Sequence, residues 1–290
     1  MDLHSPKAIK EIKDRYDFRF SKSLGQNFIT DPTVPERITT GAEIGPEDLV
    51  IEIGPGIGVL TAEAARSAAK VVAIEIDKNL IPILSETLRD FDNVEVINRD
   101  ILKTDLNQLI EEQRQKGAFT GAVRVLGNLP YYITTPIVMG ILESGADVSS
   151  ITVMMQKEVA DRILAIPGSK TYGAISVAVQ YYCEASRVLN VSKEAFMPKP
   201  QVDSTVLNLK VRKEKQVQLK DDKMFFACIK AGFGQRRKTL LNSLTGTGGL
   251  LKEDIRKVLE AAGIDASRRA ETLTIEDFAT IANIVTERIS

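Results

Sequence analysis

Short β-branched runs alternate with longer amphipathic stretches between Leu49 and about Val153. This alternation is typical of βαβ units that build a parallel sheet. The predicted strands are Leu49–Ile53, Lys70–Ile76, Val94–Ile97, Val123–Leu126 and Ile151–Met155. The predicted helices are Gly58–Ala68, Lys78–Arg89, Asp105–Lys116 and Thr135–Glu143. Right-handed crossovers between such strands predict a doubly wound, Rossmann-like α/β sheet with ligand sites at the carboxyl ends of the strands.

The alternation of short strand-like runs with longer amphipathic stretches changes after Ala174. Two longer strand-like runs, Val177–Leu189 and Thr205–Val211, predict an antiparallel pair that finishes the sheet. The polar segment 213–223 is interpreted as a linker. Four stretches beyond it predict helices: Met224–Phe233, Thr239–Leu244, Glu253–Ala262 and Ile275–Arg288. We therefore expect a catalytic domain over 1–212, which includes a basic N-terminal segment over 1–23, and a small all-α domain over 224–290.

The composition of the chain limits the kinds of partner, location and catalytic site that the sequence can support. The 38 basic and 39 acidic side chains nearly cancel, so net charge gives no argument for a polyanionic partner. No apolar stretch reaches the length of a membrane span and the N-terminus is charged, which predicts a cytoplasmic protein. Cys183 and Cys228 are expected to be buried thiols rather than a disulfide or zinc ligands. The single histidine, His4, lies in a charged N-terminal segment, which argues against histidine-based catalysis.

A glycine-rich turn, Gly54-Pro55-Gly56-Ile57-Gly58, joins the first predicted strand to a helix. Such a turn lets a nucleotide lie against the backbone, because glycine adopts conformations that other residues rarely adopt. The spacing is G-x-G-x-G and not the G-x-G-x-x-G of dinucleotide binding. The turn predicts a nucleotide site but does not specify the ligand.

Two acidic residues at the ends of predicted strands indicate which kind of nucleotide the site would bind. Glu75 ends the second strand, 21 residues after Gly54, where a carboxylate can accept both hydroxyls of a ribose. Asp100 follows the third strand and is placed to accept a hydrogen bond from an adenine amino group. Together they predict a site for an adenosine with a small charged tail. The alternative is that both acids only cap the elements that follow them.

The fourth strand ends in Gly127-Asn128-Leu129-Pro130-Tyr131-Tyr132. An exocyclic amino group conjugated with its ring is a poor nucleophile, and two acceptors aimed at its N–H bonds would favour a reactive, pyramidal geometry. The Asn128 side-chain oxygen and the Leu129 carbonyl, held by Pro130, are candidates for these acceptors, and Tyr131 offers a face on which a base can stack. The alternative is an ordinary strand that ends at a proline and packs a tyrosine pair.

These motifs resemble the KsgA-type small-subunit ribosomal RNA adenine N6,N6-dimethyltransferases over most of the chain, from about Leu24. The Asn-Leu-Pro-Tyr motif is specific to this family when it is combined with an opening Gly-Gln-Asn-Phe and a late Phe-x-Pro-x-Pro-x-Val-x-Ser. The matching segments are 24–29, 54–58, 75–77, 98–101, 128–132 and 196–204. The glycine turn by itself says little, because many methyltransferases share it.

The resemblance implies a seven-stranded class I S-adenosylmethionine-dependent methyltransferase domain with an α-helical C-terminal domain. The implied reaction is dimethylation of two adjacent adenosines in the 3′-terminal hairpin of 16S rRNA, without a metal, by a protein that we expect to be monomeric. Residues implied for the cofactor pocket are Gln26, Asn27, Phe28, Ile29, Gly54, Gly56, Glu75, Asp100 and Asn128. Residues implied to hold the target base are Asn128, Leu129, Pro130, Tyr131 and Phe196.

Local charge suggests how RNA would be held. Five basic residues and no acidic residue lie between Met224 and Lys252, and the candidates for RNA binding are Lys230, Arg236, Arg237 and Lys238. A second basic group marks the N-terminal segment, where acidic residues dilute it; its members are Lys7, Lys10, Lys13, Arg15, Arg19 and Lys22. The alternative is that both groups are solvated surface.

Three other functions remain open on the sequence. A large-subunit adenine methyltransferase of the macrolide-resistance type would share the fold and a similar motif, although the Tyr131–Pro136 and Phe196–Ser204 segments favour the small-subunit group. A mainly non-catalytic RNA-binding or ribosome-assembly relative would keep the fold without turnover. A dehydrogenase is disfavoured by the glycine spacing.

Overall fold

The computed structural model describes residues 3–21 and 24–289, in which helices and strands alternate along the chain. The strands are β1 (Phe28–Ile29), β2 (Leu49–Ile53), β3 (Lys70–Glu75), β4 (Val94–Asn98), β5 (Val123–Asn128), β6 (Ser150–Gln156), β7 (Cys183–Val191), β8 (Phe196–Met197) and β9 (Ser204–Val211). The helices are α1 (Pro6–Arg15), α2 (Thr33–Gly41), α3 (Val59–Ala65), α4 (Ile81–Thr87), α5 (Leu106–Gln115), α6 (Thr134–Glu143), α7 (Lys157–Ile163), α8 (Ala174–Tyr182), α9 (Asp222–Gly234), α10 (Leu240–Ser243), α11 (Lys252–Ala261) and α12 (Ile275–Ile289). Short 3-10 helices cover Lys78–Leu80, Ile101–Lys103, Lys193–Ala195, Thr247–Gly249 and Ala270–Thr272.

One seven-stranded sheet has the order β4-β3-β2-β5-β6-β9-β7. The central strand β2 pairs in parallel with β3 and β5, so that Leu49 lies opposite both Lys70 and Val123. The strand β9 returns antiparallel to β6, and β7 lies beside β9 at the edge. This arrangement confirms the predicted Rossmann-like sheet. It also brings the carboxyl ends of β2, β3, β4 and β5 to the same edge, where the predicted motifs lie.

The local sequence accounts for the helices that cover the sheet. All five residues of β2 are buried, as expected of a parallel strand with helices on both faces. Helix α5 buries Leu106, Leu109, Ile110 and Gln113, which share one helical face. The Asp105 side chain accepts a hydrogen bond from the backbone N–H of Gln108 and so caps the first turn of this helix.

One sequence prediction about the strands was wrong in part. The run Val177–Leu189 is not a single strand, because residues up to Tyr182 belong to α8 and only the remainder belongs to β7. Helix α8 buries Val177 and Tyr181 in an apolar core, where the Tyr181 ring lies 5.0 Å from that of Phe225. A short apolar run fits a buried helix as well as a strand, and here the core around Phe225 favours the helix.

The chain divides into two compact units that are not contiguous in sequence. The first contains residues up to Ala160 together with Ser186–Val211, and the second contains Asp161–Ala185 and the chain from Arg212 onward. The sequence alone predicts a single boundary at the linker 213–223. The structure differs because Tyr172 and Tyr181 are buried in the core of the second unit.

The predicted linker is packed rather than free. The backbone N–H of Lys220 donates to Asn283 Oδ1 at 2.8 Å, and Asn283 Nδ2 donates to the Gln218 carbonyl at 2.9 Å, so the segment is fixed to α12. Val217 and Leu219 pack against the core of the second unit. In the part of the chain that the structure describes, no helix combines the length and the apolar character needed to cross a bilayer.

Candidate functional site

A cavity in the first unit opens at the carboxyl ends of β2, β3, β4 and β5. All nine positions predicted for the cofactor line it: Gln26, Asn27, Phe28, Ile29, Gly54, Gly56, Glu75, Asp100 and Asn128. Further lining side chains that the sequence analysis did not single out include Glu52, Arg99, Tyr132, Ile133 and Ile137. The topology therefore brings segments up to about 100 residues apart into one site.

The glycine turn forms the floor of this cavity. Gly54, Gly56 and Gly58 have φ angles of +70°, +61° and +89°, a region that only glycine adopts without strain. A Cβ atom on Gly56 would lie 3.1 Å from the Phe28 ring, so the backbone and this ring are in close contact. A Cβ on Gly54 would have no protein atom within 4 Å, which leaves that peptide open to the cavity.

Glu75 ends β3 beneath the cavity and is only 4% exposed. One carboxylate oxygen accepts a hydrogen bond from the backbone N–H of Asp77 at 2.8 Å. Burial raises the pKa of Glu75 to about 7, although nearby backbone N–H groups of Asp77 and Gly56 act in the opposite direction. The carboxylate is thus fixed in direction at the position where the sequence predicted a ribose ligand.

A second buried acid, Glu52, lies beside it on β2 and was missed by the sequence analysis. Glu52 is 1% exposed, and within the described residues its Oε2 has no hydrogen-bond partner. Burial raises its pKa to about 8, and the charge of Glu75 acts in the same direction. The sequence did contain a signal, because Glu52 is the charged residue in the otherwise apolar run Leu49–Ile53.

Asp100 combines a capping role with a position in the cavity. One carboxylate oxygen accepts from the backbone N–H of Leu102 at 3.0 Å and caps the 3-10 helix, as the alternative interpretation expected. The other oxygen lies 3.8 Å from the Lys103 ammonium, whose side chain is 84% exposed. This second oxygen has no close hydrogen-bond partner among the described residues, so capping does not use all of the acceptor capacity of Asp100.

The segment Leu24–Ile29 lies across the cavity and is tied to β3. Gln26 Nε2 donates to Asp77 Oδ2 at 2.8 Å, and its Oε1 accepts from the backbone N–H of Ser21 at 2.7 Å. Both ends of the Gln26 amide are therefore engaged within the protein, which makes Gln26 a positioning residue. Gly25, with φ of +59°, packs so closely that a Cβ there would lie 3.2 Å from Pro130.

Asn128, at the end of β5, is hydrogen-bonded to the segment Leu24–Ile29. Its Nδ2 donates to the Asn27 carbonyl at 3.0 Å. Because the amide nitrogen is used in this way, the amide oxygen of Asn128 remains as an acceptor on the other side of the group. The Leu129 side chain is 1% exposed, so the backbone that carries the second predicted acceptor is anchored in the core.

The aromatic residues are arranged differently from the expectation. The Tyr131 hydroxyl lies 2.8 Å from Ser204 Oγ, and Phe196 is 6% exposed in β8, where it pairs with Ile29 of β1. Neither residue lines the cavity. Tyr132 does line it and is 60% exposed. Phe196 therefore packs as a core aromatic here, and the ring available at the opening belongs to Tyr132.

The predicted RNA-binding residues lie in the second unit. Lys230, Arg236, Arg237 and Lys238 are all exposed. Arg236 Nη2 donates to the Lys170 carbonyl at 2.9 Å. The basic side chains of the N-terminal segment are partly used within the protein, since Arg15 pairs with Glu86 and Lys13 lies over the Phe20 ring. Lys22 lies outside the described residues.

The cysteines and the acidic residues give no second site. Cys183 and Cys228 are buried free thiols, as predicted, and burial raises the pKa of each to about 12. Over residues 3–21 and 24–289, no group of three or more histidine, cysteine or acidic side chains is placed to hold a metal ion. The cavity at the strand ends is thus the candidate functional site of the first unit.

Comparison with known proteins gives consistent matches. Residues 17–287 match the family described as ribosomal RNA adenine dimethylase. The chain is 53% identical over 288 residues to a Ribosomal RNA small subunit methyltransferase A of Clostridioides difficile (strain 630), which covers 99% of this chain and 98% of that protein. It is 55% identical over 286 residues to a protein of the same name from Alkaliphilus metalliredigens (strain QYMF), with 98% of each chain covered.

Two solved structures share the fold. A dimethyladenosine transferase from Plasmodium falciparum has a TM-score of 0.74 and 24% identity, covering 88% of this chain and 95% of that one. The 23S rRNA methyltransferase ErmE has a TM-score of 0.66 and 25% identity, covering 89% of this chain and 99% of that one. Both matches extend over nearly nine tenths of this chain, so the likeness is not confined to a short segment.

Proposed function

The chain belongs to the ribosomal RNA adenine dimethylase family, and we propose that it dimethylates N6 of two adjacent adenosines in the 3′-terminal hairpin of 16S rRNA. The observation that carries the proposal is the single cavity in which the glycine turn, Glu75, Asp100 and Asn128 meet. The relatives at 53% and 55% identity are named as small-subunit enzymes, which favours this substrate over the 23S rRNA of ErmE.

The cavity fits S-adenosylmethionine as the methyl donor. The open peptide at Gly54 leaves room for a ligand against the backbone, and the acids at two neighbouring strand ends provide acceptors for a nucleoside. Glu75 would hold the ribose hydroxyls, and the second oxygen of Asp100 would accept from the adenine amino group. When bound, this cofactor supplies an electrophilic methyl group on a sulfonium centre. The chain itself supplies the acceptors that orient the incoming base.

Asn128 and the Leu129 carbonyl are proposed to act on the target amine. The hydrogen bond from Asn128 Nδ2 to Asn27 fixes the direction of the amide and leaves its oxygen to accept an N–H of the adenine. The Leu129 carbonyl would accept the second N–H. Acceptors preset in this way favour the developing ammonium without reorganisation during the reaction. The protonated product amine is acidic enough to lose its proton to water, which agrees with a site without histidine.

Target adenines must be unstacked before they can enter the cavity, and a hairpin loop provides such bases. Tyr131, whose hydroxyl is held by Ser204, remains our proposed flanking residue, and Tyr132 is added as a ring at the opening. Stacking by Phe196, as the family resemblance implies, requires that the Phe196 ring becomes accessible, because it is buried in this structure.

Basic side chains of the second unit are proposed to bind the RNA backbone. Lys230, Arg236, Arg237 and Lys238 are exposed, and no acid interrupts the sequence from Met224 to Lys252. Phosphate contacts of this kind release counterions, so the affinity for RNA should fall steeply as salt is added.

The Asn128→Ala variant tests the catalytic part of the proposal. We expect methyl transfer to be abolished while S-adenosylmethionine and RNA still bind, because the amide oxygen is the acceptor for the reacting amine; loss of the Nδ2 contact with Asn27 should weaken cofactor binding less than Glu75→Ala does. Glu75→Ala is the matched comparison and should instead weaken cofactor binding. Methyl transfer is measured with labelled cofactor, and binding by isothermal titration calorimetry. Appreciable turnover by Asn128→Ala would show that the acceptor argument is wrong.

A further inference from the structure

An exposed loop with an apolar tip connects α7 to α8 in the second unit. We call residues 164–173 the tip loop. Ile166 at its tip is 68% exposed, which is unusual for a large aliphatic side chain, and Pro167 beside it is exposed too. The backbone N–H of Ser169 donates to the Ile166 carbonyl at 3.1 Å, and Gly168 has φ of +82°. This is a tight turn with proline and glycine at its two central positions.

Several contacts hold the tip loop in place although its tip is exposed. Gln180 Nε2 donates to the Ala165 carbonyl at 2.9 Å, on one side of the tip. On the other side the backbone N–H of Gly168 donates to the Glu271 carbonyl at 2.7 Å. Tyr172, at the base of the loop, is buried, and its hydroxyl donates to the Leu273 carbonyl at 3.0 Å. Ile166 is therefore presented by an ordered scaffold.

The tip loop is joined to a basic segment of the chain. Arg236 Nη2 donates to the Lys170 carbonyl, which joins the loop to the sequence Arg236-Arg237-Lys238. Lys170, Arg237 and Lys238 are exposed, and none of them has an ion pair with a described residue. The tip loop itself contains no acidic residue. Glu271 contacts it at Gly168, and the charges of Glu276 and Asp277 act on Tyr172 at its base. An exposed apolar tip that is joined to a segment of cations without ion pairs to described residues suits a polyanion that also offers apolar surface.

We propose that the tip loop is an RNA-contact element, in which Ile166 and Pro167 pack into the minor groove of an RNA helix while Lys170 and Arg237 bind the flanking phosphates. This inference rests on the proposed function, since it takes structured RNA as the partner. The minor groove of A-form RNA is wide and shallow, so a short rigid tip can reach ribose and base edges there. Arg236 is a positioning residue, because its guanidinium holds the loop through the Lys170 carbonyl.

Affinity for unmethylated small ribosomal subunits, measured with the full-length protein at several salt concentrations, tests the proposal. Ile166→Ala removes apolar contact and no charge, so the dissociation constant should rise about tenfold at every salt concentration with an unchanged salt slope. Arg237→Ala should reduce the slope of log affinity against log salt by about one. Arg236→Ala should lose more affinity than Arg237→Ala, because it also releases the loop.

Leu251→Ala is the matched control for Ile166→Ala. Leu251 belongs to the same unit and is 73% exposed, but the acidic residues Glu253 and Asp254 follow it closely in sequence. It should bind the subunits as the wild type does. Wild-type affinity of Ile166→Ala, or equal losses in Ile166→Ala and Leu251→Ala, would overturn the role of the tip loop. Failure of the wild-type protein itself to bind these subunits would instead contradict the proposed function.

Discussion

Glu52→Gln should change how the stability of the protein depends on pH. Glu52 is buried on the central strand, and one of its carboxylate oxygens has no partner among the described residues. Its pKa is raised from 4.5 to about 8 in the folded chain, mainly by burial. The native state therefore keeps a proton on this group that the unfolded state releases. Stability is lost as the pH rises from about 4.5 to about 8 and changes no further above that range.

The size of the effect follows from these two values. At about pH 7.5 the ionisation of Glu52 stabilises the unfolded chain by most of the free energy that corresponds to the pKa shift. At about pH 5 the same ionisation stabilises the unfolded chain only slightly. For a pKa shift from 4.5 to about 8, the free energy of unfolding therefore falls by about 3 kcal/mol between these two pH values. Glutamine has the same shape and does not ionise, so Glu52→Gln should lack this loss.

Urea unfolding at about pH 5 and about pH 7.5, followed by circular dichroism, measures the difference directly. The wild type and Glu52→Gln should have similar stability at the lower pH, and the variant should be more stable by about 3 kcal/mol at the higher pH. Glu75 remains in both proteins, so its own pH dependence largely cancels in the comparison. A constant difference between the two proteins over this range would refute the assignment of a protonated, buried Glu52.

Two further predictions concern the scaffold of the site. Asp48→Asn should destabilise the protein by about 3–5 kcal/mol in urea unfolding, because it breaks a nearly buried ion pair with Arg124. In that pair the Arg124 Nε lies 2.5 Å from the Asp48 carboxylate. A loss of unfolding free energy below about 1 kcal/mol would contradict this prediction. Gly56→Ala should be more destabilising than Gly54→Ala, since both glycines have positive φ but only at Gly56 would the new methyl group press on the Phe28 ring. Equal loss in thermal unfolding would show that this contact is unimportant.

The parallel half of the sheet could be predicted from the sequence because buried β-branched runs and intervening amphipathic helices have distinct periods. Helix α8 could not, since the apolar run Val177–Leu189 contains no residue that distinguishes a buried helix from a buried strand. Tyr181, in its last turn, packs against Phe225, a residue remote in sequence. The two-residue strands β1 and β8 likewise carry no periodic signal, because their pairing depends on residues far apart in the chain.

Residues of the candidate site could be predicted where a chemically suitable side chain lies at the end of a predicted strand. Glu75 and Asn128 are the last residues of their strands and Asp100 follows β4, and the parallel topology brings them to one cavity. The positioning role of Gln26 could not be predicted, because its partner Asp77 is remote in sequence. Burial of Phe196 depends in the same way on its pairing across the β1–β8 contact. Motifs thus predicted residues that line the candidate cavity, whereas their hydrogen-bond partners depend on tertiary contacts.

Methyl incorporation tests the central claim most directly. Unmethylated small and large ribosomal subunits are offered separately with labelled S-adenosylmethionine, and the products are analysed as nucleosides. We predict N6,N6-dimethyladenosine in the small subunit alone, absent with Asn128→Ala. Label confined to the large subunit would contradict the proposed substrate and indicate a macrolide-resistance type of activity. No label in either subunit, from a protein that still binds the cofactor, would contradict the proposed reaction.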